Sequence, residues 1–193
     1  MLLVRRFDRE WAGDGYYRYR MASALTLTRS EDHFGASSQW SYLLLADEVR
    51  RTSSRPEADL HELFTRMCFN AAVSNTDDHP RNHAMIAKGA SWRLSPAYDL
   101  TPTPMVATQR RDLAMQCGPE GRYANKFNLL GAPGRFLLEK ENAEAIFTRV
   151  TDTVRASWYS TMRRVGVNEK DCDAIRSAFL YDGLFYTPES HKI

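Results

Sequence analysis

The chain has 193 residues, 43% of them hydrophobic and 26% charged, proportions that fit a globular domain and exclude a disordered or fibrous chain. Twenty-six Lys and Arg against 24 Asp and Glu leave a net charge of +2, too small to steer the molecule towards nucleic acid or an anionic membrane. No apolar run approaches the roughly 20 residues that cross a bilayer. The N-terminus lacks the shape of a secretory signal, and Cys68, Cys117 and Cys172 form no C-x-x-C pair. A single domain over residues 1–193 with reduced thiols and a cytoplasmic address is the expectation.

Leu2-Leu3-Val4, followed by Arg5-Arg6-Phe7-Asp8-Arg9, reads as a short buried strand with a polar exit. Residues 10–37 carry Gly13, Gly15 and Gly35 around the cluster Tyr16-Tyr17-Arg18-Tyr19-Arg20, and are expected to be loop with short irregular pieces. Trp40, Leu43, Leu44 and Val49 fall near helical spacing, predicting a helix over residues 38–51 with Ser37 or Ser38 as N-cap. Pro56 suits a first helical turn, and Leu60, Leu63, Phe64, Met67 and Ala71 then build one apolar face, predicting a second helix over residues 56–73.

After a polar loop, residues 84–87 and 92–94 are apolar pieces separated by Lys88-Gly89-Ala90-Ser91, the pattern of a β-hairpin. Pro96, Pro102 and Pro104 exclude regular helix in the next stretch, residues 112–115 suggest a brief strand or extended segment, and residues 123–135 a loop or short helix. Ile146, Phe147, Val150, Val154, Trp158, Met162 and Val165 form a long one-sided stripe ending at Gly166. Asn168 caps a further helix expected to reach about Leu180, with Gly183 closing it.

The chemistry is concentrated in Asn75-Thr76-Asp77-Asp78-His79-Pro80-Arg81-Asn82-His83. Such residues make solvated turns cheaply. Yet Asp77 precedes Asn82 by the D-x-x-x-x-N interval of a kinase catalytic loop, and Asp99 follows the hairpin where a second metal carboxylate is required. Carboxylate and carboxamide oxygens are hard donors that suit magnesium.

Together with Leu94-Ser95-Pro96-Ala97-Tyr98-Asp99-Leu100, this loop resembles the signature of HipA-like serine/threonine kinases, the toxins of type II toxin–antitoxin systems. Arg6-Phe7-Asp8-Arg9 resembles the hinge of that family and Asp112-Leu113-Ala114-Met115 a later strand, so the matches run over residues 3–165. The resemblance implies a mainly α, protein-kinase-like C-terminal lobe whose small β-hairpin carries the catalytic and metal loops. It implies ATP and Mg2+ as cofactors, Asp77 as the catalytic aspartate, Asn82 and Asp99 as magnesium ligands, and the backbone around Arg5 and Phe7 as the adenine-contacting hinge. His79 is read as holding the loop. Asp78, Arg81 and His83 are read as solvated or loop-bracing, with Arg81 within possible reach of phosphate.

The glycine-rich nucleotide cover and the phosphate-gripping strand lysine of a complete kinase have no match here, since Gly13-Asp14-Gly15 fails the pattern and no lysine precedes the catalytic loop. The expectation is a lobe lacking its N-terminal companion, with little activity alone. Its partners would be a protein-serine substrate, a separate N-lobe or an antitoxin-type DNA-binding protein.

Two other readings stand beside it. One is a non-catalytic partner-binding module using Trp11, Tyr16, Tyr17 and Tyr19. The other is a two-metal hydrolase built from Asp77, Asp78, His79, His83 and Asp99. The pairs Arg50-Arg51 and Arg110-Arg111 are read as solvated surface rather than a DNA-binding patch.

Overall fold

A computed structural model of the chain describes residues 5–32, 39–105 and 107–188. Helices dominate, and two small sheets flank them. The expected strand at Leu2-Leu3-Val4 lies outside the described residues.

Of the stretch 10–37 expected to be loop, residues 33–37 lie outside the described residues, and much of the described part is regular structure. Strands β1 (Arg9–Trp11) and β2 (Tyr16–Arg18) pair antiparallel, with Arg9 opposite Arg18 and Trp11 opposite Tyr16. Gly13, at φ +99°, makes the connecting turn possible. Strand β3 (Arg20–Ser23) follows and leads into the single-turn helix α1 (Ala24–Leu27), capped by Ser23. Gly13 and Gly15 mark the turn between β1 and β2, and β3 finds its partner far along the sequence.

Helix α2 (Tyr42–Thr52) starts later than expected, because Ser41 and not Ser37 or Ser38 is the N-cap, its hydroxyl accepting from the Leu43 and Leu44 amides. Ser41 is held extended by a bridge to Gln116: Gln116 N–H donates to the Trp40 carbonyl at 2.8 Å, and Tyr42 N–H to the Gln116 carbonyl at 2.9 Å. Helix α3 (Pro56–Ala72) follows its pattern. Pro56 occupies the first turn, Glu57 and Asp59 complement the positive end of the helix dipole, and Leu60, Leu63, Phe64, Met67 and Ala71 are buried.

The hairpin forms as β4 (Ala84–Lys88) and β5 (Ser91–Leu94), closed through left-handed Gly89. It is part of a three-stranded sheet, since β3 pairs antiparallel with β4, Ser23 facing Ala84. Residues 112–115, expected as a brief strand or extended segment, contribute a single bridge between Asp112 and Tyr123. Helix α4 (Lys126–Leu129) and a 3-10 turn, Pro133–Phe136, occupy the region read as loop or short helix.

Helix α5 (Lys140–Arg164) is the long one, but its stripe is buried only over its first half, at Ala143, Phe147, Val150 and Val154. Val165 is 70% exposed, and Trp158 stacks on Phe179 with ring centroids 4.5 Å apart. Helix α6 (Glu169–Ile175) is capped by Asn168 as expected but stops short of Leu180. A 3-10 turn, Arg176–Ala178, continues it, Leu180 is left-handed, and Gly183 lies inside another such turn, Asp182–Phe185. All three cysteines are free and buried. Among the described residues no helix is long and apolar enough to cross a membrane.

The core packs α2, α3 and the first half of α5 around Phe64, Phe136, Met67, Leu45 and Phe147. The C-terminus of α3 therefore ends on a rigid base. From it the chain turns through left-handed Ser74 into the polar loop, crosses the hairpin and returns beside its start.

Candidate active site

The polar loop is anchored by the side chain least distinguishable in the sequence. Asp77 is exposed, whereas its neighbour Asp78 is completely buried. The Asp78 carboxylate accepts from the Tyr42 hydroxyl and lies 3.0 Å from His83 Nε2. Asn70 on α3 donates its amide to the Tyr42 oxygen at 3.0 Å, and Asn75 donates to the Asn70 carbonyl oxygen at 3.1 Å. Burial and the Asp78 carboxylate push the Tyr42 phenol well above its ordinary pKa, so it stays protonated and donates. Asp78 and His83 are thus loop-bracing as read, and buried rather than solvated.

That network leaves Asp77 facing solvent and brings Asn82 against it. The Asn82 amide lies 3.4 Å from the Asp77 carbonyl oxygen, which directs Nδ2 to the backbone and leaves Oδ1 as the group's free oxygen donor. Asn82 itself is buried at the end of the 3-10 turn Pro80–Asn82. His79 braces through its backbone: its N–H donates to the Asp77 carbonyl, its own carbonyl accepts from Asn82 N–H, and its ring packs edge-on against Trp40. The Arg81 guanidinium pairs with Asp32 at 2.8 Å on the surface.

Asp99 is exposed and left-handed, at φ +59°, a conformation that Asp tolerates better than most residues. Its segment lies against the polar loop at three points. The Tyr98 hydroxyl donates to the Arg81 carbonyl at 2.6 Å, Thr103 N–H to the Ser74 carbonyl at 3.3 Å, and the Asn75 amide reaches the Asp99 carbonyl at 3.5 Å. The buried guanidinium of Arg66 holds the start of the segment through the Ser95 carbonyl at 2.6 Å. The segments carrying Asp77, Asn82 and Asp99 are therefore adjacent. Sequence spacing suggested that order but assigned no role to Tyr42, Asn70, Asn75, Arg66 or Tyr98; two of these stand inside the quoted motifs, which was the available signal.

Phe7 joins the same neighbourhood, its ring 5.8 Å from that of Tyr98. Arg5, Phe7, Trp11, Tyr16, Tyr19, Lys88, Pro96 and Ala97 border an open cleft of about 820 Å³ whose lining is both charged and aromatic. A second, more apolar groove of about 540 Å³ runs between α3 and α5 and includes Phe69, Leu100, Trp158 and Met162.

Two sequence readings need revision. Arg111 is not solvated. It is buried, with its guanidinium on the Ser74 hydroxyl at 2.6 Å and the Ser177 carbonyl at 2.7 Å, while Arg110 pairs with Asp112 on the surface. The hydrolase arrangement is not found either: among the described residues no three His, Cys, Asp or Glu side chains gather as a metal site, and Asp78 and His83 are engaged with each other.

The fold and the paired loops define a helical domain with an acid–amide loop facing a second acidic loop. The chain belongs to the HipA-like C-terminal domain family, whose model matches residues 1–158. It is 26% identical over 121 residues to the putative kinase Y4mE of Sinorhizobium fredii, a match covering 61% of this chain and 29% of that protein. It superposes with a TM-score of 0.70 and 14% identity on a chain from the Shewanella oneidensis toxin–antitoxin complex of HipA, HipB and operator DNA, covering 90% of this chain and 45% of that one. The chain thus spans less than half the length of the relatives it matches.

Proposed function

We propose that this chain is the catalytic-loop-bearing lobe of a HipA-like serine/threonine protein kinase, transferring a phosphoryl group from ATP to a protein serine. The observation that supports it most is the adjacency of the Asp77–Asn82 loop and the Asp99 segment, tied together by Tyr98 and Asn75. Exposed Asp77 is free to orient a substrate hydroxyl and take its proton. Asn82 Oδ1 and the exposed Asp99 carboxylate are hard oxygen donors of the kind magnesium prefers, and would hold it. When bound, the ion would supply positive charge that offsets the charge of the nucleotide phosphates. The cleft beside Arg5 and Phe7 has the aromatic and cationic border an adenine nucleotide requires, with Phe7 and the local backbone taking the base.

The glycine-rich cover and phosphate lysine have no counterpart in these residues, so turnover depends on groups supplied from elsewhere. A partner-binding role has its own support: Trp11, Tyr16 and Tyr17 are each more than half exposed on the β1–β2 hairpin. A HipB-type DNA-binding antitoxin, or a polypeptide completing the nucleotide site, is the proposed partner class.

Calorimetry with ATP and Mn2+ or Mg2+ tests the reading. Asp99→Asn should weaken metal-dependent nucleotide binding at least tenfold, while Asp77→Asn should retain binding and lose any phosphoryl transfer. Metal-dependent binding that is indifferent to Asp99→Asn would remove the basis for the kinase assignment.

A further inference from the structure

We infer that Tyr98 is a positioning residue, locking the nucleotide-side Phe7 segment, the Asn82 loop and the Asp99 segment into one geometry. The inference rests on the phosphoryl-transfer reading above, and goes beyond it by assigning the part that sets the spacing of its metal groups.

Two contacts converge on this side chain, and the backbone adds a third link. Its hydroxyl donates at 2.6 Å to the carbonyl of Arg81, the residue immediately before Asn82. Its ring tilts by 34° against Phe7 at 5.8 Å. Its backbone continues directly into left-handed Asp99.

The side chain is only half-buried and sits in a segment without helix or strand, so it is not a core aromatic whose position packing alone dictates. Residues 96–103 have no ladder of their own, and a left-handed aspartate persists only where its surroundings hold it. A hydroxyl fixed to the opposite loop supplies that restraint one residue away. A phenol is protonated throughout the neutral range, so the hydroxyl is available as the donor of this bond.

The ring contact gives the arrangement a second consequence. Phe7 borders the cleft in which the nucleotide is placed, so a base entering there presses on the ring whose hydroxyl sets the Asn82 loop. Nucleotide occupancy and metal affinity are then linked through one side chain.

Tyr98→Phe keeps the ring and deletes the hydroxyl; Tyr98→Leu deletes both contacts. Amide hydrogen exchange on the whole chain should show Asn82 and Thr103, whose N–H groups are bonded in the two loops, exchanging several-fold faster in Tyr98→Phe, with α5 unchanged. Titration of Mn2+ in the presence of ATP, followed by electron paramagnetic resonance, should show half-saturation raised roughly two- to tenfold, the worth of one hydrogen bond. Metal-free ATP binding should be unchanged in Tyr98→Phe and weakened in Tyr98→Leu.

Unchanged exchange in Tyr98→Phe overturns the inference whatever the chain binds. Faster exchange with an unchanged Mn2+ half-saturation overturns the positioning role. Faster exchange in a chain whose wild type takes no Mn2+–ATP refutes the phosphoryl-transfer reading instead, and leaves the clamp between the loops standing.

Discussion

Replacing Tyr42 by Phe removes one oxygen from a fully buried network without altering the volume of the core. That oxygen donates to the Asp78 carboxylate and accepts from the Asn70 amide, and both partners are completely buried. In the variant Asp78 keeps only His83, and the Asn70 amide loses its acceptor. A hydrogen bond to a charged group contributes about 1.5–3 kcal/mol, and a buried donor left unpaired costs about 1–3 kcal/mol.

Allowing for relaxation of His83 towards the carboxylate, the loss should be about 3 kcal/mol. For a chain of this size that is a fall in Tm of roughly 6–12 °C. Urea denaturation at neutral pH measures it directly, as a lower midpoint with an unchanged slope. A variant within about 0.5 kcal/mol of wild type, the range of an ordinary surface substitution, would show that the network does not carry the loop, and the physical basis for placing Asp77 would go with it.

The Asp59–Arg93 pair should give a pH-dependent result. Burial raises the Asp59 carboxyl, but Arg93, the Ser53 hydroxyl and the Leu94 amide outweigh it and hold the pKa below its usual range. A depressed carboxyl contributes stability that is present above its unfolded pKa and lost as pH falls through the folded value. Asp59→Asn should therefore be destabilised by about 2 kcal/mol at pH 7, with the difference from wild type shrinking as pH falls below about 4; equal differences at pH 7 and pH 3 would contradict the assignment. Burial pushes the Cys68 thiol well above its ordinary range and Cys117 to about 12. A thiol reagent at pH 8 should leave both unmodified in the native chain and label them once urea unfolds it; rapid native labelling would refute their burial.

Much of the architecture is local enough to read from the sequence. Helix α3 follows from Pro56 and its apolar repeat, the β4–β5 hairpin from Gly89 between apolar pieces, and the length of α5 from its stripe. The family resemblance likewise depended on spacing within two short segments, residues 75–83 and 94–100.

Other features were illegible because they are settled by residues distant in the chain. Strand β3 has no conspicuous alternation and exists because β4 offers it an edge. The cap of α2 falls at Ser41 because the bridge to Gln116 keeps Ser41 extended. Arg111 looks like its neighbour Arg110, yet one is buried beneath the Ser74 turn and the other paired on the surface.

The sequence by itself determined which residue types stand in the two loops and in what order, because a motif needs only proximity along the chain. The tertiary structure decided which carboxylate of the Asp77–Asp78 pair faces solvent and which tyrosine joins the loops. Burial and hydrogen-bond partners are properties of the surroundings, and Asp78 acquired its own from α2, α3 and the end of its own loop.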